Sequence, residues 1–236
     1  MDVTSLYPSL MIEYNLLSRS VPKLEHFKEV YQKNLDLKAA GKKAEREPYK
    51  LTCNSTYGAM KDKYNALYDP RMANNVCVHG QLFLVDLIEH LEPYCELIQS
   101  NTDGILVKYD DFSKIKEVAD EWQKRTKLEL EFDFFKEIYQ KDVNNYIFIG
   151  EEIYKTKGAF VKKLNDLDND LPIINKAIVN YFVFNIPVEE TIWSENNLKE
   201  FQMIRKIPNK YDHILYNSKI LNEKCVRIFA SKSKHD

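Results

Sequence analysis

Two aspartates stand where a short piece of β-structure could present a carboxylate. Asp2 stands at the end of a short predicted strand, and Asp103 lies in the turn NTDG between two apolar runs. An Asp-Gly pair between such runs predicts a β-hairpin, so Asp103 would sit at its tip and could meet Asp2 on an adjacent strand. A site made only of oxygen ligands suits Mg²⁺ or Mn²⁺. Taken singly, an aspartate in a turn is more often only a turn residue.

A second group of polar residues recurs at helical spacing. Lys50, Asn54, Tyr57 and Lys61 stand at i, i+4, i+7 and i+11, which places them on one stripe of a predicted helix. Such a stripe is most often a solvent-exposed face. Gly58 lowers helix stability by about 1 kcal/mol relative to alanine, which indicates that something must approach the backbone closely there.

The elements that must position these residues follow from periodicity. The predicted helices are one that begins at Pro8, a charged pair over 23–40 and 47–64 joined at Gly41, and others over 72–91, 113–126, 173–184 and 188–193. The predicted strands cover 3–6, 94–99, 105–109, 128–135 and 145–161, and an irregular tail ends the chain. Helices and antiparallel strands in this order indicate an α+β fold.

Composition sets only loose bounds. The chain has 236 residues, of which 44% are apolar, so it can bury a real core in one large domain or a few small ones. The net charge of -2 argues weakly against a nucleic-acid binder. Lysines do cluster at 155, 157, 162 and 163, and the tail over 205–234 is basic, although such runs are usually solvated faces.

The four cysteines and the apolar runs bear on location. Cys53, Cys77, Cys95 and Cys225 lie far apart without a CxxC pair, which predicts small core residues in a reducing compartment and no zinc or disulfide framework. No run approaches 18 apolar residues, and no signal sequence opens the chain. We therefore expect a soluble, cytoplasmic protein with no membrane partner.

Three segments together carry a family resemblance. Residues 2–9 read DVTSLYPS, residues 50–58 read KLTCNSTYG, and residues 101–104 read NTDG. In order, spacing and flanking pattern they resemble motif A (DxxSLYPS), motif B (KxxxNSxYG) and motif C (DTDS) of family B DNA polymerases of bacteriophage or prophage type. The resemblance runs from motif A to the end of the chain. It implies a DNA-directed DNA polymerase, which adds deoxynucleotides to a primer 3′-hydroxyl by two-metal phosphoryl transfer.

The resemblance also implies an architecture and partners. It implies an antiparallel palm sheet with helices at 1–22 and 67–165, a two-helix fingers hairpin at 23–66, and a mostly helical thumb at 166–236. The family's exonuclease part is absent, which implies a separate N-terminal polymerase/exonuclease polypeptide in addition to primer-template DNA and dNTPs. For a phage protein the location would be the host cytoplasm. A palm sheet that begins at its catalytic strand is expected to leave a strand edge unpaired.

By the same resemblance, the site residues fall into three groups. Asp2 and Asp103 are the implied catalytic carboxylates, and together with Val3 they would hold two Mg²⁺ ions or, alternatively, Mn²⁺. The residues implied to contact the nucleotide are Ser5, Leu6, Tyr7, Lys38, Lys50, Asn54 and Tyr57. Those implied to contact DNA are Gly58, Tyr146, Lys155 and Lys157. The Tyr7 ring would also block a 2′-hydroxyl and so favour deoxynucleotides.

The chain departs from the family pattern in three places. Asn101 replaces the first aspartate of motif C, and Gly104 replaces its serine. Asn34 and Lys38 stand where the family has an arginine and a lysine, and the basic element before Tyr146 is lost. These departures keep a second hypothesis open, in which the chain is a catalytically silent remnant that binds DNA or a partner. A palm like that of reverse transcriptases is a third, weaker alternative.

Overall fold

In a computed structural model the chain is described over residues 1–161 and 170–229. Contacts divide it into two compact units, Met1–Asp133 and Phe134–Asp236, each of which is described by itself. The α+β class is confirmed: helices alternate with small antiparallel sheets. The predicted boundary between palm and thumb at 165/166 lies outside the described residues, as do Lys162, Lys163 and the end of the basic tail.

The first unit contains five helices and four short strands. They are β1 (Asp2–Val3), α1 (Leu6–Glu13), α2 (Leu24–Ala39), α3 (Lys43–Lys61), α4 (Pro70–Leu91), β2 (Cys95–Ser100), β3 (Ile105–Tyr109), α5 (Phe112–Thr126) and β4 (Leu130–Glu131), with one 3-10 turn at Glu92–Tyr94. Their order matches the sequence prediction. Helix α3 begins four residues earlier than predicted, so Pro48 lies in its second turn, where its missing N–H removes one backbone hydrogen bond.

Helix α4 is the centre of the first unit's core. Asp69 caps its N-terminus by accepting from the Met72 N–H at 3.3 Å, and Pro70 occupies the first helical position, where it leaves no additional donor unpaired. Val76 and Leu87 are fully buried on its inner face. Trp122 of α5 is 1% exposed and donates its ring N–H to the Phe83 carbonyl at 3.0 Å. Helix α4 is thus held by its N-terminal cap and by its contact with α5.

Strand β1 is paired on both sides. Asp2 and Val3 pair with Glu131 and Leu130 of β4, and on the opposite edge Asp2 bridges to Gly104 at the tip of the β2–β3 hairpin. The expected unpaired edge at this strand was therefore wrong, because β4 returns to cover it.

The second unit begins with a three-stranded sheet and continues with helices and short ladders. Its elements are β5 (Glu137–Asp142), β6 (Asn145–Ile149), β7 (Tyr154–Lys157), α6 (Pro172–Phe184), α7 (Val188–Ser194), a 3-10 turn (Leu198–Phe201), β8 (Met203–Lys206), β9 (Ile214–Tyr216), β10 (Lys219–Leu221) and β11 (Cys225–Ile228). Strands pair in the order β5-β6-β7, while β8 pairs with β11 and β9 with β10.

Several of the strand predictions were wrong in this part of the chain. The predicted strand over 128–135 is only the two residues of β4, and the one over 145–161 divides into β6 and β7 around a turn. Strand β5 was not predicted. The segment predicted to be a mostly helical thumb does begin with α6 and α7, but two antiparallel ladders replace the expected irregular tail.

The described residues contain no helix long and apolar enough to cross a membrane. All four cysteines are free thiols. The prediction of core cysteines is right for Cys53, which is 1% exposed, but Cys225 is exposed and Cys77 is only half-buried.

Candidate active site

The backbone brings the two predicted catalytic segments together. The Val3 N–H donates to the Asp103 carbonyl at 2.6 Å, and the Ile105 N–H donates to the Met1 carbonyl at 2.9 Å. These bonds flank the bridge between Asp2 and Gly104. Asp2 and Asp103, which are 101 residues apart in the sequence, therefore lie on neighbouring segments of backbone. Both aspartates are exposed, whereas Val3 is 4% exposed and anchors β1 in the core.

The glycine that replaces the motif C serine leaves room for the Asp2 side chain. A Cβ built on Gly104 would lie 2.0 Å from Asp2 Oδ1 and 2.7 Å from the Met1 carbonyl oxygen. Both distances are far shorter than carbon–oxygen contact allows, and the second involves backbone, which cannot simply rotate away. In this chain the position of the Asp2 carboxylate therefore depends on the absence of a side chain at residue 104.

A third carboxylate, which the sequence prediction did not include, stands next to Asp2. Glu131 lies directly across the ladder from Asp2, and residues opposite each other share one face of a sheet. Its Oε1 accepts from Thr4 Oγ1 at 2.9 Å and is ion-paired with Lys38 Nζ. The ammonium of Lys38 holds the pKa of the Glu131 carboxyl below its usual range. Lys38, predicted to bind nucleotide, is here engaged by a carboxylate instead.

The turn that leads from β1 into α1 is tightly constrained. Ser5 adopts a left-handed conformation with φ 49° and ψ 52°, which is uncommon for a residue with a side chain. This conformation turns the strand into the helix within two residues, so that Leu6 and Tyr7 form the first turn of α1. The Ser9 hydroxyl donates to the Thr4 carbonyl at 3.0 Å and closes the turn. The unpaired N–H groups of this helix start can receive a phosphate.

Two tyrosines from different motifs meet beside this turn. The rings of Tyr7 and Tyr57 lie 4.5 Å apart between centroids at 52°. Their hydroxyls lie 3.9 Å and 2.7 Å from Cys77 Sγ, and Lys61 Nζ lies 3.4 Å from the Tyr57 hydroxyl. Burial, and then the hydrogen bond with Cys77, raise the pKa of each tyrosine to about 12. The negative charge of Asp103 adds a smaller contribution in the same direction to the pKa of Tyr7.

The predicted polar stripe on α3 is present and open. Lys50, Asn54 and Gly58 are exposed, and a Cβ at Gly58 would meet no atom within 4 Å. Lys50 makes a long ion pair, 3.9 Å from Nζ to the carboxylate of Glu47. The surface at Gly58 can therefore be approached from outside.

Arg46 extends this stripe by one turn and was missed by the sequence prediction, although its spacing of four residues from Lys50 could have revealed it. Its Nε donates to Asn34 Oδ1 at 3.0 Å, and Asn34 is 1% exposed. Asn34 is thus a buried support for an arginine on the neighbouring helix. In the described part of the chain, no carboxylate forms an ion pair with this guanidinium, whose outer nitrogens can contact an anion in two places.

The predicted DNA-binding residues of the second unit share one surface. Tyr146 stands opposite Lys157, and Phe148 opposite Lys155, on neighbouring strands β6 and β7. The rings of Tyr146 and Phe148 are stacked, 4.0 Å apart at 8°. Lys155 Nζ also lies 5.8 Å from the centroid of the Phe135 ring. Tyrosine and two lysines therefore form an aromatic and basic face, of the composition that nucleic-acid backbones and bases contact.

The donor set around Asp2 fits a hard divalent cation. Two exposed carboxylates, one on β1 and one in the turn of the neighbouring hairpin, together with backbone oxygens of β1, are ligands of the type that Mg²⁺ and Mn²⁺ prefer. Over residues 1–161 and 170–229, no three histidine, cysteine, aspartate or glutamate side chains converge on one point. Glu131 stands close in the sheet, but its charge is already matched by Lys38.

Comparison with known proteins gives no independent assignment. The chain matches no protein-family model and no curated protein sequence. Support for any function therefore comes from the three motifs and from the way the fold arranges them.

Proposed function

We propose that this chain is the catalytic part of a DNA-directed DNA polymerase that adds deoxynucleotides to a primer 3′-hydroxyl on a DNA template. The observation that carries the proposal is the bridge between Asp2 and Gly104, which joins the motif A strand to the motif C hairpin. Two carboxylates on neighbouring segments of one site can hold the two cations of two-metal phosphoryl transfer. Palm, fingers and thumb are proposed for the corresponding segments on the same basis.

Each residue of the site has a separate task in this reaction. The carboxylates of Asp2 and Asp103 and the backbone of Val3 would hold Mg²⁺ or Mn²⁺, which when bound lowers the pKa of the primer hydroxyl and neutralises phosphate charge. The helix start at Ser5, Leu6 and Tyr7 offers backbone N–H groups to the triphosphate. The Tyr7 ring, packed on Tyr57, would lie against the sugar.

Basic residues of α3 would receive the triphosphate. Arg46 is oriented by Asn34 and can contact two phosphate oxygens at once, while Lys50, one turn further along, supplies a point charge. Asn54 would hydrogen-bond the nucleotide, and Gly58 would let the nascent base pair approach the helix. Lys38 would contribute only after it leaves Glu131.

Primer extension tests the proposal directly. A labelled primer-template, dNTPs and Mg²⁺ or Mn²⁺ are incubated with the wild type and with Asp2→Asn and Asp103→Asn. We expect extension by the wild type and a loss of about 1000-fold in each variant, at the upper end for losing one group that stabilises transition-state charge. Asp110→Asn, at the exposed end of the same hairpin, is the matched control and should retain full activity.

The alternative, a silent chain that binds DNA or a partner, makes a different prediction in the same assay. It predicts gel-shift binding of the primer-template with no extension by the wild type. We propose an N-terminal polymerase/exonuclease polypeptide as a further partner, so the assay is repeated with that polypeptide added. Absence of extension in both conditions would contradict the polymerase proposal.

A further inference from the structure

One thiol joins the two tyrosines at the nucleotide end of the candidate site. Cys77 Sγ lies 2.7 Å from the Tyr57 hydroxyl and 3.9 Å from the Tyr7 hydroxyl. The tyrosines belong to α3 and α1, and the cysteine belongs to α4. A thiol has one weak donor and one weak acceptor, so a single sulfur can serve both hydroxyls. Cys77 therefore makes polar contacts that link α4 to both α1 and α3.

Close packing of α1 on α4 brings Tyr7 to this thiol. Gly80 lies one turn after Cys77 on α4, and a Cβ there would be 3.3 Å from Leu6 Cδ2 and 3.5 Å from Leu10 Cδ1. A side chain at this position would force the Leu6 side chain to shift by a few tenths of an ångström. The glycine at position 80 thus allows α1 to pack closely on α4 beside the contact between Tyr7 and Cys77.

The Tyr7 ring is packed on one side and has free space on another. Tyr57 covers it at 4.5 Å between centroids. A cavity of about 340 Å³ borders Tyr7 and Cys77 and extends to Asn101 and Thr102, the turn residues before Asp103. A ring next to such a space can change rotamer unless a contact at its far end holds it. In this site the hydroxyl contact with Cys77 is placed to do so.

We propose that Cys77 is a positioning residue for the Tyr7 ring and that, through this ring, it sets the discrimination between deoxyribose and ribose in the incoming nucleotide. The inference rests on the proposed polymerase function, because only a bound nucleotide gives the ring position a consequence. Both tyrosine hydroxyls are protonated at neutral pH, so each retains a proton for hydrogen bonding.

Single-nucleotide insertion kinetics test this proposal on the full chain. The ratio of kcat/KM for a dNTP to that for the matching rNTP is measured for the wild type, Cys77→Ala and Cys77→Ser. We expect Cys77→Ala to lower the ratio about tenfold, the size expected for the loss of one hydrogen bond, chiefly by lowering KM for the rNTP. Cys77→Ser restores a hydrogen-bonding group and should recover most of the ratio.

A second cysteine of the first unit, Cys95, supplies the matched control. Cys95 follows α4 and its thiol donates to the Leu91 carbonyl at 3.3 Å, away from both tyrosines, so Cys95→Ala should leave the ratio unchanged. A ratio for Cys77→Ala within twofold of the wild type would overturn the role in sugar discrimination. So would an equal fall in Cys95→Ala, since that would indicate a general loss of packing.

A measurement without nucleotide separates this inference from the proposed function. 3-Fluorotyrosine is placed at position 7, and its ¹⁹F resonance is compared among the wild type, Cys77→Ala and Cys77→Ser. We expect a shifted or broadened resonance in the alanine variant and a signal close to wild type in the serine variant. An unchanged resonance in Cys77→Ala overturns the positioning role. Failure of the wild type to extend any primer would instead remove the proposed function while this spectrum still decides whether Cys77 holds the ring.

Discussion

The chain's two tryptophans show how differently its two units treat apolar surface. Trp122, in the first unit, is 1% exposed, whereas Trp193, in the second, is 85% exposed. The contrast extends to the surroundings. Nineteen buried residues form one connected core in the first unit, while in the second the buried apolar residues within the described ranges are Ile147, Phe148, Ile173 and Ala177.

This difference separates two ways of building a functional surface. In the first unit, close packing fixes a few polar groups at defined positions, as the bridge between Asp2 and Gly104 illustrates. In the second, exposed lysines stand beside a half-buried tyrosine, as Lys155 and Lys157 of β7 do beside Tyr146 of β6. Substitutions in the first unit should therefore have large, local effects, and substitutions in the second unit should have small, graded ones.

The largest effect should come from the buried tryptophan. Trp122→Ala removes a fully buried ring and its hydrogen bond to the Phe83 carbonyl, so we expect the free energy of unfolding of the first unit to fall by about 3–5 kcal/mol. Trp193→Ala should change stability by no more than about 0.5 kcal/mol. Urea unfolding followed by circular dichroism measures both. Equal losses in the two variants would contradict the contrast between the units.

Gly104→Ala should have the next largest effect, on catalysis. The new Cβ would collide with Asp2 Oδ1 and with the Met1 carbonyl oxygen, so the hairpin and β1 must separate. We expect primer extension to fall about 100-fold, within the range for misplacing one group that stabilises transition-state charge. Thr102→Ala, an exposed neighbour in the same turn, is the control and should stay within twofold. Full activity in Gly104→Ala would show that the Asp2 position is not set by this contact.

Local patterns explain which parts of the fold could be predicted. The hairpin at Asp103 and Gly104 and helix α4 were predicted to within two residues because an Asp-Gly turn and a 3.6-residue apolar period are local signals. Strand β4 was predicted too long, because its two paired residues are defined by β1, over 120 residues away. No local pattern marks so short a strand.

The site follows the same rule. The motif residues Asp2, Tyr7 and Tyr57 could be read from the sequence, and the structure places the two tyrosines in contact. The role of Cys77 could not be predicted from the sequence, because its contact with Tyr7 spans 70 residues and a single cysteine belongs to no recognisable motif. The ion pair of Lys38 with Glu131 was equally hidden, since it joins a helix to a strand 93 residues later.

Each unit contains an arginine–aspartate ion pair, and the two pairs differ in burial. Asp69, 4% exposed, accepts from Arg19 Nε at 2.8 Å and Nη2 at 3.0 Å and also caps α4. Hydrogen bonds, chiefly the one from the Arg19 side chain, hold the pKa of the Asp69 carboxyl well below its usual range. Burial acts in the opposite direction but is the weaker effect. Asp170 accepts from Arg205 Nη1 at 3.1 Å, but both side chains there are about half exposed.

We expect Asp69→Asn to destabilise the first unit by about 2 kcal/mol, because the Arg19 guanidinium loses its charged acceptor. The asparagine can still cap α4. Because the folded pKa is depressed, the stabilisation by Asp69 is present above its unfolded pKa near 4 and is lost as the pH falls. The difference in melting temperature between the wild type and Asp69→Asn should therefore shrink below about pH 4. Asp170→Asn should change stability by about 0.5 kcal/mol or less at any pH. A difference for Asp69→Asn that does not depend on pH would contradict this account.

The smallest effects are expected on the aromatic and basic face of the second unit. Lys155 and Lys157 stand opposite Phe148 and Tyr146 across β6 and β7, where they would contact phosphates as point charges without reading sequence. Each substitution to alanine should weaken primer-template binding severalfold and lower the slope of log K against log salt by about 1, because one fewer counterion is released. Lys114→Ala on α5 removes a lysine that is also exposed but is paired with Glu117, and it should leave the slope unchanged. An equal fall in slope for all three variants would mean that binding depends on net charge alone, and the face on β6 and β7 would then have no special part in holding DNA.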